Sequence, residues 1–160
     1  LFYAPDPSSQ IACTIGGNVA ENSGGVHCLK YGLTTHNVVG AEVVLMDGQV
    51  VRLGDRTLDN NGYDLLGLIT GSEGLLGVVT EVTVRLLPMP ESTRALLLGF
   101  ETVEDAAQCV AGIMAAGIVP AGLEMMDRPA IHAAEAFVSC GYPLEVEAML
   151  IVEVDGPPAA

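Results

Sequence analysis

A chain of 160 residues, half of them apolar, is long enough for one ordinary domain or two small ones around a real hydrophobic core. Twenty acidic residues against six basic ones leave a formal net charge of −14, a field that repels nucleic acid and acidic membrane surfaces and excludes both as partners. The four cysteines lie far apart with no C-x-x-C, the three histidines are scattered, and no apolar run reaches the roughly 18 residues of a membrane span; reduced thiols, a cytoplasmic setting, no metal site and no spanning segment are therefore expected.

The chain opens at Leu1 without methionine and stops at Ala160 soon after a strand-like stretch, so further chain is expected on both sides. Residues 1–13 contain Pro5-Asp6-Pro7-Ser8-Ser9, which cannot be regular helix and offers hydroxyls on a turn. It leads into residues 14–25, Thr-Ile-Gly-Gly-Asn-Val-Ala-Glu-Asn-Ser-Gly-Gly, where two glycine pairs bracket a short segment. A residue without Cβ lets a phosphate or another backbone approach closely, and Asn18 to Asn22 can form about a turn and a half of helix behind Gly16 and Gly17. That is the chemistry of an anion cradle, held by backbone N–H groups and hydroxyls because cations are scarce. Glycine pairs also mark ordinary tight turns, and neither G-x-G-x-x-G nor a nucleoside-triphosphate loop is present.

After His27-Cys28-Leu29-Lys30-Tyr31-Gly32, the apolar run from Val38 to Met46 and the run from Val50 to Leu53 flank Asp47-Gly48, the signature of a hairpin. Residues 54–62 read as a loop and Tyr63 to Ile69 as a short buried helix. A second glycine-spaced segment, Gly71-Ser72-Glu73-Gly74-Leu75-Leu76-Gly77, runs into Val78 to Leu87, whose β-branched alternation predicts a strand stopped by Pro88 and Pro90. Glu73 is expected to start a short helix there. A domain boundary is expected near residues 88–93.

Beyond it, Arg94 to Phe100 reads as a strand. Thr102 caps a helix whose apolar stripe is Val103, Ala106, Ala107, Val110, Ile113 and Met114, ended by Gly117. Leu123 to Met126 is a strand. Asp127 caps a second helix with Pro129 in its first turn and Ile131, Ala134, Phe137 and Val138 on its buried face, ended by Gly141; Ala148 to Val154 is a further strand. The alternation predicts a compact layer of helices on a sheet.

Taken together, Pro-Asp-Pro-Ser-Ser at 5–9, Thr-Ile-Gly-Gly-Asn at 14–18, Gly-Gly at 24–25, Tyr-Gly at 31–32 and Gly-Ser-Glu-Gly-Leu-Leu-Gly-Val-Val-Thr at 71–80 resemble, in order and spacing, FAD-linked oxidases of the vanillyl-alcohol oxidase and p-cresol methylhydroxylase type. Within these the chain is most like the FAD-binding subunits of bacterial glycolate oxidases and the D-lactate and D-2-hydroxyglutarate dehydrogenases. The resemblance implies an α+β chain. Residues 1–92 would be the C-terminal part of a PCMH-type FAD-binding domain, and 93–160 the N-terminal part of the ferredoxin-like FAD-oxidase C-terminal cap domain. It implies noncovalent FAD, with Pro7, Ser8, Ser9 and Thr14 on the flavin and ribityl side, Gly16, Gly17 and Asn18 at the diphosphate, and Gly77, Val78 and Val79 contacting the adenosine part through backbone groups.

The implied reaction takes a hydride from the hydroxyl-bearing carbon of a small D-2-hydroxy acid, glycolate or D-lactate, to flavin N5. The resemblance allows a second FAD-type subunit and an iron–sulfur subunit for electron transfer, and through them a peripheral place at the inner membrane. The family's first glycine-rich loop would lie before Leu1 and its substrate-binding histidines and basic residues after Ala160, so no catalytic residue is assigned. Glu124 reads as surface and Met125 and Met126 as core filler; Lys30 either offsets phosphate charge or is solvated; a covalent flavin on His27 is rejected. The alternatives are a flavin- or nucleotide-binding module without redox turnover and a structural protein that has lost the ligand.

Overall fold

A computed structural model describes residues 1–55 and 62–158. Most of the loop expected over 54–62, including Arg56, therefore lies outside the described residues. The chain is α+β and divides into two units, Leu1–Met89 and Pro90 onward.

In the first unit β1 (Val38–Val44) is central, with β2 (Val50–Gly54) and β3 (Val78–Val84) antiparallel on either side. Alternation along β1 sends Ala41 and Val43 into a core shared with Val19 of helix α1 (Ile15–Glu21) and with Leu66 and Ile69 of helix α3 (Leu65–Ile69). Glu42 points the other way, where Arg52 on β2 and Glu81 on β3 stand opposite it and all three meet. Arg52 is 71% exposed, so the trio contributes little to stability.

The β1–β2 hairpin turns at Asp47-Gly48 as expected, through a Gly48 N–H to Leu45 C=O bond of 2.9 Å with Gly48 at φ +82°. The strand expected to run from 78 to 87 ends at Val84. There Arg85 N–H turns to Asn37 C=O, and Leu87 pairs instead with Phe2. Helix α2 (Cys28–Tyr31) and a 3-10 turn at Thr34–His36 are too short to leave a period in the sequence.

Helix α1 begins three residues before its expected start, because Thr14 supplies a cap: its Oγ1 accepts from Gly17 N–H at 3.0 Å. The glycines stand inside the first turn and not ahead of it. At the other end Asn22 adopts φ 49°, and the 70–77 loop closes over the last carbonyls, Gly71 N–H on Val19 and Glu73 N–H on Ala20. Glu73 starts no helix; it sits in a left-handed turn at φ 52°.

The second unit runs β4 (Ser92–Phe100), α4 (Val103–Ala115), β5 (Gly122–Asp127), α5 (Arg128–Val138) and β6 (Ala148–Gly156), with β6 central and antiparallel to both neighbours. Leu98, Phe100, Leu123, Ala148, Leu150 and Val152 form the apolar sheet face, and α4 lays Ala106, Cys109, Val110 and Ile113 on it. Thr102 and Asp127 cap the two helices as expected, each accepting from the third residue on.

The expected stripes are narrower in the structure. Val103 and Met114 flank the α4 contact half-exposed, and on α5 Ile131 is fully buried while Phe137 is 88% exposed. Six residues carry Phe137 about 240° round the helix axis from Ile131, onto the other side.

Helix α5 ends at Ser139 (φ 54°), two residues before the expected Gly141, and the Glu135 carboxylate then accepts from the N–H groups of Tyr142 (3.0 Å) and Gly141 (2.9 Å). Those bonds, the Tyr142 one foremost, hold the Glu135 carboxyl below its ordinary value. A carboxyl whose pKa is lowered by folding stabilises above the ordinary carboxylate range, and that contribution is lost as pH falls through its folded value. Glu135→Gln is therefore expected to lower the neutral plateau of a melting-temperature-against-pH curve toward its acid value, and so to flatten the acid limb. An unchanged acid limb in the variant would show that these bonds play no part in acid stability.

Candidate functional site

The four glycines of residues 14–25 divide into two kinds. A Cβ on Gly25 would lie 2.0 Å from the carbonyl oxygen of Asp6, and one on Gly24 would lie 2.3 Å from Cys28 Sγ and 2.4 Å from Leu33 Cδ2. Those two are glycine because the fold closes on them. Gly16 and Gly17 differ: a Cβ on Gly16 would meet only Val79 C=O at 3.6 Å, and one on Gly17 only Thr14 Oγ1 at 3.3 Å.

Neither of that first pair takes a positive φ, and each costs its helix about 1 kcal/mol relative to alanine. Among the described residues of the first unit nothing closer than 3.3 Å would meet a Cβ at either position, so their bare Cα atoms leave room for a close approach.

The surroundings suit a polar guest. Asn18, directly behind the pair, is 6% exposed, and its side-chain Oδ1 is buried without a hydrogen-bond partner. A buried amide oxygen left in that state costs on the order of 1–3 kcal/mol, which a donor from outside the chain would recover. Gly17 N–H is already held by Thr14, so that glycine offers space and no donor; Gly16 N–H, at the second helical position, has no intrahelical acceptor.

Two further segments flank the pair. Val79 brings the start of β3 to Gly16, and Gly77 is glycine for packing, since its Cβ would fall 2.7 Å from Val43 Cγ1. Val78 beside it is 65% exposed. Upstream, Pro7 is buried while Ser8 and Ser9 are exposed on a turn closed by Gln10 N–H to Pro7 C=O and by Ala12 and Cys13 N–H to Ser9 C=O. That turn delivers the chain to the Thr14 cap.

The structure thus joins Thr14, Gly16, Gly17 and Asn18 to Gly77–Val79 around one helix start, with Ser8 and Ser9 on the approach to it. Lys30 lies with its Nζ 5.3 Å from the Tyr31 ring centroid. What sequence reasoning missed is the partnership of Asp6 with His27, 2.6 Å apart; the prolines on both sides of Asp6 are the one local sign that it is held in place. The arrangement offers a backbone N–H at Gly16 without an intrahelical acceptor beside the open space over Gly16 and Gly17, which suits close approach of a hydrogen-bond acceptor. Among the described residues it offers no group assigned to proton transfer.

Residues 1–54 match the family model of the FAD binding domain, and residues 89–160 that of the FAD linked oxidases, C-terminal domain. Glycolate oxidase subunit GlcD of Escherichia coli (strain K12) is 62% identical over 156 residues, which cover 98% of this chain and 31% of that protein. D-lactate dehydrogenase of Anaerostipes hadrus is 39% identical over 98% of this chain and 34% of its own length. The chain therefore spans about a third of the length of the curated relatives it matches. Among solved structures, alkyldihydroxyacetonephosphate synthase superposes with a TM-score of 0.77 at 22% identity over 99% of this chain and 32% of that one, a likeness of fold.

Proposed function

We propose that the chain, which matches models of the FAD binding domain and of the FAD linked oxidases' C-terminal domain, is an internal part of an FAD-dependent oxidoreductase that converts a small D-2-hydroxy acid, glycolate or D-lactate, to the 2-oxo acid. Residues 1–92 are assigned to the C-terminal part of the FAD-binding domain and 93–160 to the beginning of the cap domain. Bound FAD supplies the two-electron acceptor for the hydride leaving the hydroxyl-bearing carbon.

The chain's own residues bind and orient. Gly16 and Gly17 clear the space in which the diphosphate lies, Gly16 N–H and the Asn18 side-chain amide N–H donate toward it while Asn18 Oδ1 is left for a donor other than phosphate, and Thr14 holds the helix start in shape. Ser8 and Ser9, set on the rigid turn that follows buried Pro7, face the flavin and ribityl side. Val78 and Val79, with Gly77 packed beneath them, offer backbone groups to the adenosine part. The observation that carries this reading is the open pair Gly16–Gly17, two helix glycines against which, among the described residues, a Cβ would meet only Val79 C=O at 3.6 Å and Thr14 Oγ1 at 3.3 Å.

The cofactor is held without a covalent bond. The relative named as a subunit supports partner subunits for this chain, and a second FAD-type subunit with an iron–sulfur subunit would carry electrons away. Among the described residues no helix is long and apolar enough to cross a membrane. A cytoplasmic place, peripheral to the inner membrane through those partners, follows from the proposal.

The test is an anaerobic visible spectrum of the full-length protein before and after glycolate or D-lactate. The flavin band is expected to bleach with one of them. A band indifferent to both would leave a flavin-binding module without this turnover, and its absence from the purified protein would remove the cofactor reading.

A further inference from the structure

We infer that Asp6 and His27 form a positioning pair for the cofactor, holding the Ser8–Ser9 turn in its binding shape; the inference rests on the flavin reading above. Asp6 Oδ2 lies 2.6 Å from His27 Nδ1, and the two side chains are only 24% and 25% exposed. Twenty-one residues separate them, so the contact ties the approach turn to the far end of the glycine segment. Asp6 stands between Pro5 and Pro7, both buried, whose rings fix the backbone on either side of it.

The tie is more than one hydrogen bond. Gly25 lets the two backbones touch, since any Cβ there would strike the Asp6 carbonyl. The His27 ring stands edge-on to Tyr31, and Tyr31 edge-on to Phe2 at 5.8 Å, so the imidazole is itself braced.

The turn from Pro7 to Cys13 therefore hangs between two fixed points, Asp6 at one end and the Thr14 cap at the other. Its exposed hydroxyls sit on a short closed loop. With both anchors made, Ser8 and Ser9 present themselves without the ordering cost of a free loop; with the Asp6 anchor cut, that cost falls on cofactor binding.

A cycle of variants in the full-length protein, read as the FAD dissociation constant of the reconstituted apoprotein, tests this. His27→Ala is expected to weaken FAD about tenfold, Ser8→Ala with Ser9→Ala about tenfold, and all three together little more than either, because the histidine acts through those hydroxyls. Asp6→Asn, which keeps the side-chain volume, serves where His27→Ala does not fold and is expected to show the same non-additivity. A purely structural role gives multiplying losses, about a hundredfold in the combination, and that result or an unchanged His27→Ala constant overturns the inference. Flavin that disappears in Gly17→Val but binds normally in His27→Ala refutes the pair alone; flavin absent from the unaltered protein refutes the cofactor reading and the pair with it.

Discussion

Gly17→Val in the full-length protein is expected to leave a folded protein without FAD. The new Cβ would stand 3.3 Å from Thr14 Oγ1, a contact a hydroxyl can relieve by a few tenths of an ångström, and valine suits a helix slightly better than glycine. Its two methyl groups, however, fill the space that the bare Cα keeps open. Gly16→Ala sharpens the contrast. With only Val79 C=O within reach, at 3.6 Å, it should raise the melting temperature of the apoprotein, by up to about 1 kcal/mol of stability, while lowering flavin content. A variant that gains stability and loses its cofactor cannot be explained by misfolding. Flavin-to-protein absorbance after purification, taken with a thermal melt, reads both quantities; normal flavin content in both variants would place the cofactor elsewhere.

The opposite outcome is expected nine residues after Gly16. Gly25→Ala puts a methyl group 2.0 Å from one backbone oxygen and 2.5 Å from its carbon, and backbone cannot rotate aside as a side chain can. Two chain segments must separate, taking the Asp6–His27 contact with them. A loss of roughly 3 kcal/mol or more follows, enough to exhaust much of an ordinary domain's stability. Gly24→Ala should be milder, since the atoms it meets, Cys28 Sγ and Leu33 Cδ2, end side chains that can shift. Melting temperatures in the order unaltered, Gly24→Ala, Gly25→Ala are expected, and a Gly25→Ala protein as stable as the parent would contradict the close approach.

These contrasts mark what a linear reading can and cannot reach. Thr102 and Asp127 announce their helices because a cap is a local device, one side chain accepting from a backbone three residues away. The Asp47-Gly48 hairpin is local in the same sense. Thr14 is a cap of the same kind, but the glycines behind it lower helix propensity and hide the start it makes. Phe137 looks buried because it is large and apolar, and only the turn of the helix puts it outside.

Pairing over distance leaves no mark in sequence at all. Asp6 and His27 look like two unrelated polar residues until the fold brings them together. The division of the glycines into two that the fold needs and two that it does not is likewise invisible until neighbouring atoms are in place. The resemblance implies which stretch would meet a cofactor; geometry indicates which atoms there are idle among the described residues.

The strand order of the second unit bears on how the chain is made. β6 lies between β4 and β5 yet comes after both, so neither earlier strand has a neighbour until residues 148–156 leave the ribosome. Two helices and two strands are synthesised before any sheet exists to receive them, and Leu96, Leu98 and Phe100 wait in the open with unpaired edges. Assembly of this unit is thus a single late event, and a nascent chain that stalls before Ala148 presents the cell's chaperones with apolar strands that have nothing to join.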